Sequence, residues 1–249
     1  MSNTLVIQSH RQPLPYPWIE TCIASVKHWA KSNQYDYEYI HDELFDYITP
    51  TLLTKVKNQK VIATDLARLK LLQNKLKQRY QTVIWCDADF LIFSPEKFNL
   101  PNEPYSIGRE VWVQQNKNNS EKLITKTKVH NAFMMFRRGN NFLDFYAETA
   151  ERLLTLNIGN IPPQFIGPKL LSALHNIAYC HVLETAGMLS PMVIKDIAQN
   201  GGKALDLFKS KSIEAIAAAN LCGSLFGQGE MTAQEIEQCI HNITECIAP

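Results

Sequence analysis

The sequence predicts an α/β fold, a single domain with a mixed, mostly parallel sheet flanked by helices. The first observation is a β-loop-α-β opening, in which residues 4–8 and 35–40 are strand-like and residues 18–31 have the apolar spacing of a helix. The second is an amphipathic helix over residues 60–80, followed directly by the apolar run of residues 83–86. The third is size, since 249 residues with 45% apolar side chains can form a large core.

Charge and cysteine content narrow the class of protein. Lys and Arg total 25 against 24 Asp and Glu, so no net charge favours nucleic acid or an anionic membrane as a partner. None of the six cysteines stands in a Cys-x-x-Cys pair, which favours buried free thiols in a reducing compartment over disulfides or zinc. No window approaches about 20 apolar residues. We therefore expect a cytoplasmic protein without a signal peptide or membrane span.

The first three elements have the order found at the start of a nucleotide-binding sheet. A strand over residues 4–8, a loop with three prolines, a helix over residues 18–31 and a strand over residues 35–40 follow one another. Ligands of such folds bind where strands end and helices begin. The loop has no Gly-x-Gly-x-x-Gly pattern, and Gly-x-x-x-x-Gly-Lys occurs nowhere in the chain. The sequence therefore disfavours a Rossmann-type dinucleotide site and a P-loop.

The helix over residues 60–80 places a charged pair beside its buried face. Its apolar side is formed by Ile62, Leu66, Leu69, Leu72 and Leu76. Asp65 and Arg68 lie on the neighbouring stripe. One interpretation is an i,i+3 ion pair that steadies the helix. The other is a ligand site, because a carboxylate accepts hydrogen bonds from sugar hydroxyls and a guanidinium pairs with phosphate oxygens.

Two acidic residues end the most apolar strand. Residues 83–86 favour a buried strand over a helix, and Asp87 and Asp89 follow it. Ionised carboxylates are costly to desolvate unless they are paired or bind a metal. One interpretation is a polar strand end that caps the next segment. The other is a site for a divalent cation that also contacts phosphate oxygens.

Residues 63–69, Ala-Thr-Asp-Leu-Ala-Arg-Leu, and residues 85–89, Trp-Cys-Asp-Ala-Asp, resemble two motifs of the GT-A glycosyltransferases. These motifs are Ser/Thr-Asp-x-x-Arg and Asp-x-Asp. The similarity is strongest to the mannosyltransferase-like and glycosylating-toxin-like families with a DXD sugar region, and the layout is similar over residues 4–140. One departure is that residues 79–82 read Arg-Tyr-Gln-Thr, where those families often have Gly-Gly-x-Tyr.

The resemblance implies a role for each residue of the two motifs. Asp89 would bind Mn²⁺ or Mg²⁺ directly, and Asp87 would contact the ribose or sugar and the hydration shell of the metal. Asp65 would accept from sugar hydroxyls, and Arg68 would face the diphosphate. Asp87, Asp89 and Arg68 form the predicted catalytic set. Gln8, at the end of the first strand, is predicted to bind the donor together with Asp65, Arg68 and Asp87.

The middle of the chain is predicted to return to the sheet twice. Residues 105–113 and 129–136 read as strands, and the polar stretch between them, residues 114–128, is expected to be a mobile surface loop or a lid. Asn131 resembles the Asn of the strand that follows Asp-x-Asp in the same families, and it is predicted to contact the sugar. His130 is expected to be a packed strand residue.

A proline-rich segment, residues 161–168, is predicted to contribute the acceptor side. Gly167 and Pro168 precede a helix, and the free backbone N–H groups at its start suit an acceptor hydroxyl or phosphate. Gly-Pro before a short helix is also typical of the mannosyltransferase-like group, and Gln164, Gly167 and Pro168 are the predicted acceptor-side residues. Turn geometry alone explains the same pattern equally well.

The last third holds a candidate metal ligand and an amphipathic helix. Relatives in the resembled families place a metal-binding His where Asn220 stands, at the end of the apolar run 213–222. Asn offers a carbonyl oxygen but is a weaker ligand. Residues 232–235, Thr-Ala-Gln-Glu, form a capping box before a helix with isoleucines on one face. We expect this helix to pack back on the domain, with membrane or partner docking as the minority interpretation.

These expectations combine into one function, a metal-dependent, retaining hexosyltransferase of polysaccharide or glycolipid synthesis. It would move a sugar from a nucleotide-sugar donor to a glycan or glycolipid acceptor. The donor half would span about residues 1–113 and the acceptor half about residues 129–249. One alternative is a non-catalytic protein that binds sugars or a partner. Another is a haloacid-dehalogenase-like phosphohydrolase, disfavoured because Leu91 stands where that class needs Thr or Val and no Gly-Asp-x-x-x-Asp follows.

Overall fold

The computed structural model describes residues 2–56 and 59–247. The strands in this part of the chain are β1 (Thr4–Ser9), β2 (Asp36–Ile40), β3 (Thr82–Cys86), β4 (Phe90–Ile92), β5 (Tyr105–Asn116), β6 (Asn119–Arg137), β7 (Val182–Leu183), β8 (Ala186–Met188) and β9 (Ala218–Asn220). The α-helices are α1 (Pro17–Ser32), α2 (Pro50–Lys55), α3 (Lys60–Gln78), α4 (Phe142–Leu156), α5 (Pro168–Ala178), α6 (Pro191–Ala198), α7 (Lys203–Lys211), α8 (Gly223–Phe226) and α9 (Ala233–Ile247).

The larger sheet has the strand order β2-β1-β3-β6-β5-β7. β1 pairs in parallel with β2 and β3, with Leu5 opposite both Asp36 and Val83, whereas β6 runs antiparallel to β3 and β5. β7 is parallel to β5, so three of the five pairings described here are parallel. The predicted α/β class with a mixed, mostly parallel sheet flanked by helices is confirmed. Because β2, β1 and β3 are parallel neighbours, their carboxyl ends meet at one edge.

The residues of β1 alternate between two helical layers. Leu5 and Ile7 pack in the core cluster that includes the apolar face of α3, whereas Val6 packs in the cluster that includes α1. This period-two alternation, in a strand buried on both faces, places one helix on each side of the sheet. The helices predicted over residues 18–31 and 60–80 match α1 and α3 within two residues at each end.

A second sheet, in the order β4-β9-β8, begins directly after the acidic pair. β4 runs antiparallel to β9, with Phe90 opposite Asn220, and β8 is parallel to β9, with Met188 opposite Asn220. This pairing brings Asn220 beside Asp89, although 131 positions separate them. Neither β4 nor β8 is predicted from the sequence, because three-residue strands are too short for a periodic signal.

Residues 114–128 form part of a two-stranded ribbon, and the mobile loop or lid predicted there is wrong. β5 continues to Asn116 and β6 begins at Asn119, with a tight turn between them. Val111 and Leu123 pack in a core cluster with α6 and α7, so one side of the ribbon is anchored. Lysines and asparagines occupy many other positions of this stretch, so its apolar residues show no clear period of two. The sequence of residues 114–128 therefore resembles that of a solvated loop.

The C-terminal helix packs back on the domain, as predicted. α9 lies against α6, and the Asn242 side chain donates to the Ile197 carbonyl oxygen at 3.0 Å. The predicted capping box is also present. The Thr232 N–H donates to a Glu235 carboxylate oxygen at 2.7 Å, and the Glu235 N–H donates to the Thr232 hydroxyl at 3.1 Å.

Two smaller predictions have clear outcomes in the described residues. The sequence also predicts a strand over residues 179–183, but β7 covers only Val182–Leu183, because Tyr179 ends α5 in a left-handed conformation with a φ of 51°. Five of the six cysteines are buried, Cys246 is half-buried, and all six are free thiols, as predicted. No helix in the described ranges combines the length and the apolar character needed to cross a membrane.

Candidate functional site

A cavity of about 460 Å³ opens at the edge of the sheet where β1, β2 and β3 end. Its wall includes Arg11, His41, Lys60, Arg68, Asp87 and Asp89. Residues just beyond the last position of each of the three strands contribute to it, which is where parallel sheets bind ligands. The volume falls in the range of small-molecule sites, about 300–1,000 Å³.

Arg68 is the centre of a buried ionic network. It lies on α3 with 4% of its surface exposed. Nη2 donates to Asp65 Oδ1 at 2.6 Å, and Nη1 donates to Asp87 Oδ1 at 2.9 Å and to the Asn131 carbonyl oxygen at 3.0 Å. The guanidinium carbon lies 5.2 Å from the centroid of the Trp85 ring. The i,i+3 ion pair considered from the sequence therefore exists, but it is buried and extends to the acidic motif.

Asp87 is fixed through both its side chain and its backbone. Its Oδ1 accepts from Trp85 Nε1 at 2.6 Å as well as from Arg68. Its carbonyl oxygen accepts from Gln8 Nε2 at 3.0 Å, and its N–H donates to the Ala132 carbonyl oxygen at 2.8 Å. The side chain is 28% exposed and lies on the cavity wall. A cation and an indole N–H thus hold this carboxylate in one orientation and compensate its charge.

Asp89, by contrast, is held by neutral donors. Its Oδ1 accepts from Asn220 Nδ2 at 2.6 Å, and its Oδ2 accepts from the Gly223 N–H at 2.7 Å. Asn220 Oδ1 in turn accepts from the Cys222 N–H at 2.8 Å, which fixes the orientation of the amide. Burial, and then the nearby charge of Asp87, raise the pKa of Asp89 to about 6. The hydrogen bonds from Gly223 and Asn220 oppose this rise in the pKa of Asp89, but neither donor carries a positive charge.

Asp65, Asn131 and Gln8 lie behind the cavity wall and not on it. Asp65 Oδ1 accepts from Asn131 Nδ2 at 2.8 Å, and Asp65 Oδ2 is buried without a hydrogen-bond partner among the described residues. Burial raises the pKa of Asp65 against the opposing charge of Arg68. Gly167 covers this point so closely that a Cβ there would lie 2.5 Å from Asp65 Oδ2. A predicted acceptor-side residue therefore contacts a predicted sugar-binding residue.

The structure brings most of the predicted site residues together. One connected group consists of Gln8, Asp65, Arg68, Asp87, Asn131 and Gly167, and a second group beside it consists of Asp89 and Asn220. Gln164 is outside both groups, with an exposed side chain and a carbonyl oxygen that accepts from the Lys169 N–H. Pro168 is the first residue of α5.

Three features of the site have no counterpart among the predicted residues. Arg11 and Lys60 are exposed on the cavity wall, and neither forms an ion pair within the described part of the chain. Arg11 follows β1 by two residues and Lys60 begins α3, so both positions could have been found from the element boundaries. Gly223 has no local signal, because its N–H contacts Asp89 across 134 positions.

The two carboxylates of the acidic motif fit a hard divalent cation. In the described ranges, no group of three His, Cys, Asp or Glu side chains is arranged to hold a metal. Mg²⁺ is commonly held by one or two carboxylates, with phosphate oxygens and water completing the coordination, so Asp87 and Asp89 are a sufficient protein donor set. The raised pKa of Asp89 supports the fit, because a cation would supply the missing positive charge. The side-chain carbonyl oxygen of Asn220, the third ligand considered from the sequence, accepts a hydrogen bond from the Cys222 N–H.

Two solved structures are similar to this chain over nearly its whole length. One is a glycosyltransferase involved in the glycosylation of the major capsid of PBCV-1; the similarity covers 97% of this chain and 99% of that one, with a TM-score of 0.46 and 12% identity. The other is the galactosyltransferase LgtC in complex with donor and acceptor sugar analogs, with 96% and 95% covered, a TM-score of 0.44 and 12% identity. No protein-family model and no curated protein matches the sequence. Both TM-scores are below 0.5, and we therefore infer the function from the chain's own residues.

Proposed function

We propose that this chain is a retaining glycosyltransferase that uses Mg²⁺ or Mn²⁺ to move a sugar from a nucleotide-sugar donor to a glycan or glycolipid acceptor. The observation that carries the proposal is that Arg68, Asp87 and Asp89 share one cavity wall at the carboxyl ends of three parallel strands. Such a wall combines a fixed guanidinium with two carboxylates that suit a divalent cation, as a diphosphate leaving group requires. The resemblance of the two sequence motifs supports the reaction class, the acceptor class and the retention of configuration.

The cavity has the chemistry that a nucleoside diphosphate-sugar needs. Arg11 and Lys60 are exposed on its wall and suit phosphate oxygens. Tyr16 lines the same cavity and offers an aromatic face to a base or ribose. Asp65 lies behind the wall and accepts from Arg68, so it orients the guanidinium that lines the cavity.

Asp87 and Asp89 would hold the divalent cation, which supplies positive charge against the departing diphosphate. Arg68 orients Asp87, while the Asn220 amide and the Gly223 N–H orient Asp89. Because these donors are fixed by the fold, they need little reorganisation during the reaction. We assign no general base, since the resembled retaining families have no obvious enzymic nucleophile.

Calorimetric titration tests this proposal. UDP-sugars and GDP-sugars are titrated, with and without Mn²⁺, into the native chain, Asp89→Asn and Asp206→Asn. We expect metal-dependent binding of at least one donor to the native chain and its loss in Asp89→Asn. Asp206 is an exposed carboxylate on α7, so Asp206→Asn should bind the donor as the native chain does. Absence of donor binding to the native chain under every condition would contradict the proposal and favour the phosphohydrolase.

One observation favours a second candidate function, a non-catalytic protein that binds sugars or a partner. Asn220 stands where the resembled families have a metal-binding His, and its amide is used within the protein. A protein of this kind would bind the donor without turnover. Release of nucleoside diphosphate from the bound donor in the presence of Mn²⁺, with water or an added saccharide accepting the sugar, separates the two functions. Release that is lost in Asp89→Asn supports the transferase, and donor binding without release supports the binding protein.

A further inference from the structure

The ribbon formed by β5 and β6 has one face that the core does not use. Val111 packs in the core cluster with α6 and α7, so the alternate residues Glu110 and Trp112 lie on the opposite face. Along the ribbon, Glu110 is opposite Lys128 and Trp112 is opposite Lys126. We call Glu110, Trp112, Lys126 and Lys128 the ribbon face.

Trp112 is partly buried but does not belong to the core. The other tryptophans, Trp18, Trp29 and Trp85, are each at most 2% exposed. Trp112 is in none of the three apolar clusters, and its ring has no aromatic or cation-π partner among the described side chains. The indole is partly accessible, so a ligand is able to contact it without displacing a core residue.

Glu110 is a partly buried carboxylate without an ion-pair partner in the described ranges. Its side chain forms no ion pair with any described residue, although Lys128 is directly opposite in the ribbon. Burial raises the pKa of Glu110, and the charges of Lys128 and Lys126 oppose that rise. A partly desolvated carboxylate is costly unless a partner donates to it, and a bound ligand is able to supply that donor.

The ribbon face lies next to the Asp89 end of the cavity. β5 packs against β8, and β8 pairs with β9 beside Asn220, the residue that donates to Asp89. The strand that carries Glu110 and Trp112 is therefore close to the segment that holds Asp89.

We propose that Glu110 and Trp112 bind the saccharide acceptor. This inference rests on the proposed function and extends it to the acceptor subsite. A pyranose has an apolar C–H face, which stacks on an indole, and hydroxyls at its edge, which donate to a carboxylate. Glu110 and Trp112 are two positions apart on one strand, and a spacing of roughly 7 Å lets one sugar ring reach both side chains.

An oligosaccharide array tests the subsite. It is probed with the native chain, Trp112→Ala, Trp112→Phe and Glu110→Gln in the presence of Mn²⁺. We expect the native chain to bind at least one saccharide, about tenfold more weakly in Trp112→Ala and several-fold more weakly in Glu110→Gln. Trp112→Phe keeps an aromatic face and should retain most of the binding. Tyr179→Ala, which removes an aromatic side chain that is 86% exposed, is the matched control and should bind as the native chain does.

A measurement of donor binding distinguishes failure of the acceptor-subsite inference from failure of the proposed function. Calorimetric donor binding should be unchanged in Trp112→Ala and Glu110→Gln, because neither residue lines the cavity. Native saccharide binding in both variants would overturn the inference, and so would a native chain that binds its donor but no saccharide. A native chain that binds no donor would overturn the proposed function itself. Glu110→Gln keeps the side-chain shape and Trp112→Phe keeps an aromatic ring, and matching thermal unfolding confirms that both variants fold.

Discussion

Asp87 and Asp89 are two positions apart and line the same cavity, yet the protein holds their carboxylates in opposite ways. Asp87 accepts from the Arg68 guanidinium and from an indole N–H. Asp89 accepts from an amide and a backbone N–H, and neither of these donors carries a charge. A cation of the protein therefore balances the charge of Asp87, whereas only neutral donors hold the carboxylate of Asp89.

We infer from this difference that folding balances the charge on the Asp87 side, whereas a bound ligand would balance it on the Asp89 side. On the Asp87 side, α3 supplies the cation, and the Arg68 side chain is 5% exposed. On the Asp89 side, a pKa raised to about 6 means that the surroundings disfavour the ionised carboxylate. A divalent cation would reverse that preference. The first part should therefore control stability, and the second should control cation binding.

Removal of the Arg68 charge should have the largest effect. Arg68→Met leaves the carboxylates of Asp65 and Asp87 without their cation, and breaking a buried ion pair costs about 3–5 kcal/mol of unfolding free energy. Arg79→Met, at the end of the same helix, is the matched control. Arg79 pairs with Asp36 and its side chain is 46% exposed, so the expected cost is about 0–1 kcal/mol. Urea unfolding measures the unfolding free energy of both variants. An equal loss in the two would show that Arg68 does not balance the charge of Asp87.

The uncompensated charge of Asp89 should appear in the pH dependence of stability. In metal-free protein, folding raises the pKa of Asp89 from 3.8 to about 6. A raised acid pKa stabilises the fold while the group is protonated, and this contribution is fully present below about pH 4 and lost as the pH rises through about 6. The unfolding free energy of the native chain should therefore fall relative to that of Asp89→Asn over this interval, by about 1–3 kcal/mol.

The difference between these two proteins is the quantity to measure, because His130 titrates with the opposite sign. Burial lowers the pKa of His130 from 6.5 to about 4, so its contribution to stability is lost as the pH falls. His130 is present in both proteins, and its contribution cancels in the difference. Mn²⁺ added near neutral pH should stabilise the native chain and leave Asp89→Asn unchanged. A difference that does not vary with pH would show that Asp89 is compensated after all.

Gly167→Ala should destabilise the Asp87 side through its neighbour Asp65. A Cβ at this position would lie 2.5 Å from Asp65 Oδ2 and 2.9 Å from Asn131 Nδ2. Both side chains belong to the buried ionic network, so we expect overpacking to cost about 1–3 kcal/mol of unfolding free energy. Gly227→Ala is the control, since a Cβ there would lie 3.5 Å from the Tyr16 hydroxyl, an ordinary contact. If thermal unfolding gave the same midpoint for both variants, the network would be able to move aside.

The same division explains how much of the site could be predicted from the sequence. The Asp87 side consists of two local patterns, Asp65 and Arg68 at helical spacing and Asp87 at the end of an apolar strand. Each pattern is formed by residues that are close together in the sequence. The helix, the strand and the charged stripe are therefore predicted correctly. The helical spacing alone does not decide whether Asp65 and Arg68 form an ion pair or a ligand site. The bond from Arg68 to Asp87 shows that the pair also joins the acidic motif.

The Asp89 side could not be predicted in the same way, because long-range pairing forms it. Asn220 and Asp89 are 131 positions apart, and the three-residue strands that join them have no periodic signal. The ribbon is a second example, since polar residues hide the strand pattern of residues 114–128. The apolar side of the ribbon can be recognised only from its packing against α6 and α7, and neither helix is predicted from the sequence.

Asn220→Asp should have the smallest effect on stability and the most specific effect on cation binding. The exchange keeps the side-chain shape but places an oxygen where Nδ2 now donates to Asp89 Oδ1 at 2.6 Å. In metal-free protein the two adjacent carboxylates would share one proton, which relieves most of their repulsion, and we expect a loss of about 1 kcal/mol of unfolding free energy. The added carboxylate should also tighten Mn²⁺ binding about tenfold, because ligand charge sets the affinity of such sites.

Calorimetric titration of Mn²⁺ into Asn220→Asp and Asn118→Asp separates a local effect from a general one. Asn118 is exposed at the turn of the ribbon, so its exchange adds the same charge to the chain outside the cavity wall. A general charge effect would change both variants alike, whereas a cation held at Asp89 responds to Asn220→Asp alone. Unchanged Mn²⁺ affinity in Asn220→Asp would place the cation away from Asp89. The neutral donors would then serve only to fix the end of the small sheet.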